Sequence, residues 1–406
     1  MIARVDPKHL KAAAELVSAG ISSDMQSSWL RLQANKETGS LYLQVAGVTE
    51  YQAVIPAKLV FDGVVYVHSK TFVELVAKLK NEFLKTPCSL NCSEGKYLTL
   101  TNGSATGYRY NLPLNLIEQP SSFNGPELAS FELNSSQLLD VIAGLKAMRE
   151  SESDSDVPAC EIICMGQGDL QFVSYTRNRS VSSWVECKNS VMYPTGAMKL
   201  FIAIDHLRMM EKAFKVAGKE LKKGESPIPV EMRVWSNSIR FGFCGGGMDS
   251  CYITLRRIQK EASNINNLIG ICKRPEMIRA SMLVEGDKLK QAYDRLDAFG
   301  KRNEQSQHKI EFRLVAGEMQ MQAGGQGVGF GREVLPVNFL KSPTELPLHF
   351  AAAGNKLADL LRISKFGQVK MSVGQRNILL EWDNHELGIK NLAMLAGMAV
   401  GVRDED

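Results

Sequence analysis

The sequence predicts an α+β fold of three similar domains, each with two helices on one face of antiparallel sheets. Three observations predict it. The first is a switch of hydrophobic period inside one stretch, 64–112. Val64, Val65, Tyr66 and Val67 run as a strand; Phe72, Leu75, Val76 and Leu79 then recur at i, i+3, i+4 and i+7 and draw one apolar stripe along a helix. Ser69 stands where a hydroxyl can take an orphan backbone N–H, and is placed as the N-cap. Past Lys80 the period returns to two at 88–92, 97–101 and 108–112, with Asn102 and Gly103 as a hairpin turn. The second observation is repetition. An apolar strand residue, a short spacer that holds the cap and an apolar helix residue recur as Val5 and Leu10, Val67 and Phe72, Leu133 and Leu138, Ile202 and Leu207, and Val284 and Leu289, with Ala352 and Leu357 as a weaker copy. These units fall into three pairs, which points to three domains of one design. The third is length: 406 residues exceed what one hydrophobic core organises.

From the start of the chain, Val5, Asp6 and Pro7 supply a strand end, a cap and a first helical residue. Leu10, Ala13, Ala14 and Val17 line one face of a helix over 8–20. A hairpin at 30–34 and 41–46 and a strand over 51–61 follow, with Pro56 expected at an edge or bulge because it cannot donate to a ladder. The 64–112 unit completes the first domain, 1–122. Residues 120–128, rich in Pro, Ser, Asn and Gly, read as a linker. In the second domain, 129–274, a helix at 137–149 turns Leu138, Val141, Leu145 and Met148 inward, and strands are expected at 161–165, 170–175 and 181–187. A second helix, 205–223, turns Leu207, Met210, Phe214 and Ala217 inward. Segments 230–234 and 239–243 form a hairpin around Ser236 and Asn237, and 250–255 closes the domain. Residues 259–274 show no period and are expected to be an irregular connection. The third domain, 275–398, has a helix at 287–299 with Leu289, Ala292, Tyr293 and Leu296 on one face, strands at 310–315, 318–323 and 334–339, a short helix at 356–365, and strands at 369–373, 378–382 and 387–395. The acidic end, 399–406, is expected to fray.

Composition narrows the function classes. Apolar residues make up 44% and charged residues 23%, a soluble globular balance. No apolar run is long enough to span a membrane, and the first twenty or so residues lack the uninterrupted apolar core of a secretory signal, so no membrane partner and a cytoplasmic location are expected. Eight cysteines are scattered, and the Cys88/Cys92 and Cys160/Cys164 spacings fall on strands, without the tight pairing of zinc sites. Buried reduced thiols are expected there, with no metal and no cofactor. The acids and serines of 150–156 read as a solvated loop.

Charge is distributed unevenly. The formal total is only +4, yet the polar faces of the six helices lean basic, most of all at 205–223, with Arg208, Lys212, Lys215, Lys219, Lys222 and Lys223. Ordinary solvated faces explain such a bias as well as a ligand does. A basic lining made of helices would suit a duplex backbone, meeting phosphates without reading bases. The candidates for such contact are Lys78, Lys146, Arg149, Arg208, Lys212, Lys215, Lys290 and Arg362.

At this point the repeats resemble a known family, the β sliding clamps that serve as processivity rings of bacterial replicative DNA polymerases. Three segments carry the resemblance: 63–79 followed by 97–113; 130–145 with 170–181; and, most specific, the run Asp287, Lys288, Leu289, Lys290, Gln291, Ala292, Tyr293. The resemblance covers almost the whole chain. It implies that the three domains form half of a ring, closed by a second copy head to tail, with helices inside and sheets outside. It implies a non-catalytic homodimer that encircles double-stranded DNA without reading sequence, and binds a DNA polymerase and a clamp loader through short peptide motifs. The seam would involve Phe72, Val76, Tyr108, Tyr110 and Phe299, and the partner cleft Tyr175, Thr176, Arg179, Leu392, Met394 and Leu395. Departures fall at the cleft. Where the family has Thr-Asp-Gly-x-Arg, this chain has Tyr175, Thr176, Arg177, Asn178 and Arg179, agreeing only at the last. The family's Arg-Phe-Pro-Asp-Tyr loop is replaced by 255–269, and its Met-Pro-Met by Leu392, Ala393, Met394 and Leu395. A divergent clamp with its own partner is implied, as a phage or plasmid would encode.

Rival classes stay open on sequence alone: a nucleotide-binding enzyme, a β-rich peptide-binding protein without DNA, and a clamp-fold ring acting in transcription or as a recruitment platform. The glycines of 324–331 could suggest a phosphate-cradling loop, but no Lys-Ser/Thr follows and strands are expected on both sides. A hairpin is the reading there.

Overall fold

Every apolar marker of the repeated unit is buried, from Val5 and Leu10 through Val67, Phe72, Leu133, Leu138, Ile202, Leu207, Val284 and Leu289 to Ala352 and Leu357. Each pair therefore does what its spacing requires: a strand residue and a helix residue are both buried on either side of the turn that joins them. The computed structural model describes residues 1–398 except 22–27, 48, 80–85, 93–94, 103–106, 116–125, 147, 149–157, 166–167, 177, 194–195, 219–225, 262, 301–308, 326–328 and 362–366. The linker expected at 120–128, the acidic loop at 150–156, the Asn102–Gly103 turn and the fraying end thus lie partly or wholly outside the described residues.

Seven helices are described: α1 (Pro7–Ser18), α2 (Ser69–Ala77), α3 (Ser135–Lys146), α4 (Ile204–Ala217), α5 (Ile265–Cys272), α6 (Gly286–Gly300) and α7 (Gly354–Leu361). The Asp6 carboxylate accepts the Lys8 N–H at 2.7 Å and Pro7 occupies the first position of α1, as the sequence indicates. The start of α2 differs from expectation. Its cap is the extended residue His68, whose ring nitrogen accepts the Thr71 N–H, and Ser69 is buried inside the first turn. The larger correction is α5. It lies within 259–274, where only an irregular connection was expected.

The chain packs as two compact units. The first comprises Met1–Leu138, Cys187–Gly196 and Asp205–Ile258; the second comprises Leu139–Glu186, Ala197–Ile204 and Gln259–Asp406. Each unit holds one 13-stranded sheet.

In the first unit, Ile2–Val5 pairs with both Cys88–Asn91 and Thr49–Phe61, which closes eight strands into a circuit. Helices α1 and α2 pack against each other and against this circuit. Thr49–Phe61 is long enough to serve two neighbours. It pairs with Ser40–Val45 as far as Pro56 and with Ile2–Val5 from Ala57 onward. Pro56 thus sits at the changeover, where a missing donor does least harm. The same strand continues the sheet through Leu255–Ser250 into Ser238–Gly245, Pro229–Trp235, Glu127–Asn134 and Ser190–Met192.

In the second unit, Arg179–Val185 pairs with Ile389–Met398, joining strands from widely separated parts of the chain. On one side the sheet runs through Leu170–Tyr175 and Ala159–Cys164 to Met198–Ala203; on the other it runs through Leu348–Ala353, Lys309–Val315 and Glu318–Gly325 to Gly329–Pro336. Helix α6 lies on the last two of these strands and against α7. The strand expected at 334–339 is two strands, Gly329–Pro336 and Asn338–Lys341. Pro336 ends the first ladder, and Val337 turns its N–H to the Gly317 carbonyl.

Candidate partner cleft and basic helix faces

Side chains alternate along a strand, so register decides which distant residues share a face. The pairing of Arg179–Val185 with Ile389–Met398 sets Ser180 opposite Met394, Ser182 opposite Leu392 and Arg179 opposite Leu395. On the other edge Tyr175 faces Ser180 and Val173 faces Ser182. Tyr175, Leu392 and Met394 therefore share one face. Arg179 and Leu395 point the opposite way, because they stand an odd number of residues from that set. Arg179 is fully buried and its guanidinium meets Asp359 of α7 at 2.5 Å, so it ties the sheet to that helix rather than lining the cleft. Thr176 sits just past the strand end, its N–H bonded to the Arg179 carbonyl.

This face is covered by α5. Ile265 and Ile269 pack on Ile163, Val173 and Leu392 in one apolar cluster, with Met165, Tyr175, Trp184 and Met394 around it. Polar ties hold the helix at both ends. Ser263, just before it, donates to the fully buried Glu161, which also meets the Lys199 ammonium at 3.2 Å. Asn266 and Gln171 exchange amide hydrogen bonds of 2.9 and 3.0 Å. At the far end Lys273 reaches Glu381 at 2.5 Å, and Lys370 reaches the same carboxylate at 3.0 Å. Burial pushes the Glu381 carboxyl up, but the hydrogen bonds from the two lysines outweigh it and hold the group below its ordinary value. Beside that end opens a groove of ≈ 960 Å³ lined in part by Trp184, Lys273, Glu381, Lys390 and Leu392. Sequence reasoning missed α5 because Asn, Gly and β-branched residues are poor helix formers and no side chain caps it.

The basic candidates are only partly placed. On α4, Lys212 and Lys215 are exposed opposite the buried Leu207, Met210, Phe214 and Ala217. Burial lowers the pKa of His206 on the same helix, which favours its neutral form. Lys78 is exposed as the C-cap of α2. Lys290 is half-buried on α6, where Lys288 pairs with Glu285 and Arg295 makes a two-point contact with Glu333, at 2.8 and 2.7 Å. That contact holds Glu333 below the usual carboxylate range. The side chains of Lys146 and Arg208, and residues Arg149 and Arg362, lie outside the described residues.

Of the residues expected at a subunit seam, Phe72 and Val76 have no exposed surface and Tyr108 almost none; the stripe that marks α2 as a helix is spent on its own sheet. Tyr110 is 36% exposed, and Phe299 is half-buried over Gly331. Among the described residues, strand Arg109–Asn115 pairs with Tyr97–Thr101 along 109–113 but meets Gly63–His68 only at Leu114 and Asn115. Strand Gly329–Pro336 pairs only with Glu318–Gly325 among the described residues, and exposes Phe330 and Val334. Strands thus flank the glycines of 324–331 on both sides, and among the described residues no helix begins directly after them to cradle a phosphate. No group of three His, Cys, Asp or Glu side chains among the described residues could hold a metal ion, and no helix is long and apolar enough to cross a membrane.

No protein-family model matches the chain, and no curated protein does either. Solved structures do match. The DNA polymerase III subunit beta of Pseudomonas aeruginosa superposes with a TM-score of 0.77 at 14% identity, over 98% of this chain and 100% of that one. The DNA polymerase sliding clamp of Bacillus subtilis gives 0.76 at 12% identity, over 99% and 100%. The DNA polymerase III beta subunit of Thermotoga maritima gives 0.74 at 13% identity, over 99% and 100%. The chain has the α+β fold of these proteins from end to end.

Proposed function

We propose that this protein is a DNA sliding clamp: two copies close head to tail into a ring around duplex DNA and tether a polymerase to it, with no chemistry of their own. The observation that carries this reading is likeness over whole chains, 98% of this one and 100% of the Pseudomonas aeruginosa subunit. The three-domain division, 1–122, 129–274 and 275–398, belongs to the same reading. Two open antiparallel edges support ring closure. Among the described residues, 109–113 with Tyr110 and Gly329–Pro336 with Phe330 and Val334 each pair on one side alone and expose apolar side chains. Pairing such edges between copies removes both, and repeating the contact once closes a ring. The exposed lysines of α4 and Lys78 supply phosphate contact without base readout. A polymerase and a loader would dock short peptides on the face that carries Tyr175, Leu392 and Met394.

The test is topological. The purified chain should have the solution mass of a dimer, and once assembled on nicked circular DNA it should stay bound through a salt wash and slide off when the circle is cut. Equal retention on circular and linear DNA, or a persistent monomer at micromolar concentration, refutes the ring.

A further inference from the structure

Two features of the covered face do not suit its cover. Ser182 lies between Val173 and Leu392 in one cross-strand row, directly in the floor on which Ile265 and Ile269 rest, and Ser180 lies between Tyr175 and Met394 in the next. Both serines are fully buried, and neither hydroxyl has a hydrogen-bond partner among the described residues. A buried hydroxyl under isoleucine is a mismatch, because its desolvation goes uncompensated. The cover itself is weakly built. It is eight residues long, has no side-chain cap, and leaves Leu268 and Ile271 46% and 42% exposed on its outer side. A helix this short is not stable in water by itself, so its contacts alone hold it. Its polar ties are few and sit near its ends, and the groove beside Trp184 gives an incoming chain a place to start.

We propose that α5 is a displaceable cover, a segment of the chain that occupies its own partner cleft and must lift before a partner peptide can dock. This rests on the reading that the Tyr175–Leu392–Met394 face receives partner peptides. The occupant that displaces α5 is a short peptide with two apolar side chains to replace Ile265 and Ile269, and a hydrogen-bonding group between them to satisfy Ser182 and Ser180. Its apparent affinity is reduced by the fraction of time the cover is closed.

The test uses the full chain and, as probe, a fluorescein-labelled peptide of residues 263–273. Wild type should bind it weakly, because the identical segment competes in cis. The double substitution Ile265→Ser and Ile269→Ser should tighten binding at least roughly tenfold by emptying the cleft. Ser182→Ala should slow amide exchange in α5, since the cover then closes on a matched floor. If the isoleucine variant does not fold, Asn266→Ala with Lys273→Ala, which cuts only the polar ties, should raise binding in the same direction. A folded variant that binds the probe no better than wild type overturns the cover. No DNA enters this readout. Peptide exchange without DNA retention therefore counts against the ring alone, and retention without exchange counts against the cover alone.

Discussion

Glu161 and Lys199 form an asymmetric pair, and removing either partner should have unequal effects. Glu161 sits in the interior strand Ala159–Cys164 with its side chain 0% exposed, whereas the Lys199 side chain is 37% exposed. Substituting Lys199→Met leaves a carboxylate in the protein interior with only the Ser263 hydroxyl to solvate it. Stripping one partner from a buried ion pair costs ~3–5 kcal/mol; the lysine's partial exposure moves this case to the low end, about 2–3 kcal/mol. Substituting Glu161→Gln leaves a lysine that water can reach and an amide that still accepts from Ser263, and should cost less than ~1 kcal/mol. The double substitution should be close to Glu161→Gln alone, giving a coupling of roughly 2–3 kcal/mol. Two packed units make a single global unfolding free energy ill-defined, so the assay is native-state hydrogen exchange read at the amides of Ala159–Cys164 and α5. A Glu161→Gln variant as destabilised as Lys199→Met, or a coupling below ~0.5 kcal/mol, would refute the reasoning.

Three further outcomes are expected. Lys212→Glu with Lys215→Glu should weaken duplex binding and flatten its dependence on salt by roughly 0.9 in logarithmic slope for each phosphate no longer neutralised; an unchanged slope removes these residues from the DNA path. Gly245→Ala should destabilise by about 1–3 kcal/mol, because Gly245 holds φ +149° and a Cβ there would stand 2.6 Å from the Ala217 carbonyl oxygen at the end of α4; a neutral result in urea unfolding shows that the helix end gives way. Asp140 has its carboxyl raised chiefly by burial, against hydrogen bonds from Asn391 and Asn384. The folded state therefore holds its proton longer than the unfolded chain, and stability falls as pH rises from the unfolded carboxylate value through the folded one. Asp140→Asn should accordingly slow native-state hydrogen exchange in α3 at neutral pH and lose that advantage below about pH 4, where aspartate is protonated in both states; equal effects at both pH values contradict it.

Most of the fold was legible because a change of hydrophobic period survives divergence. Val67 and Phe72, or Val284 and Leu289, must be apolar to meet in a core, whatever surrounds them. Features that rest on pairing across long sequence distances were not legible. The opposed faces of Arg179 and Met394 follow from a register that neither segment encodes alone, so they were expected on one cleft wall. Helix α5 was invisible for a related reason: its local propensity is poor, and its stability comes from Ile163, Val173, Leu392 and Glu161, all remote in sequence. Phe72 and Val76 illustrate the reverse error. One apolar stripe cannot serve both an interior and a subunit seam on a helix of nine residues.

Strand Ile389–Met398 has consequences for how the molecule is made. It pairs with Arg179–Val185, Asn377–Asn384 and Leu348–Ala353, and the hydrogen bond from Ser183 to Asn391 spans 208 residues. All strands of the first unit, by contrast, have been synthesised once Ile258 leaves the ribosome. The first unit can therefore mature during translation, while Arg179–Val185 waits as an unzipped edge until Ile389–Met398 has been synthesised. Nascent chains stalled between these points should carry a protease-resistant amino-terminal unit and a vulnerable remainder, and that interval is when a holdase would be needed.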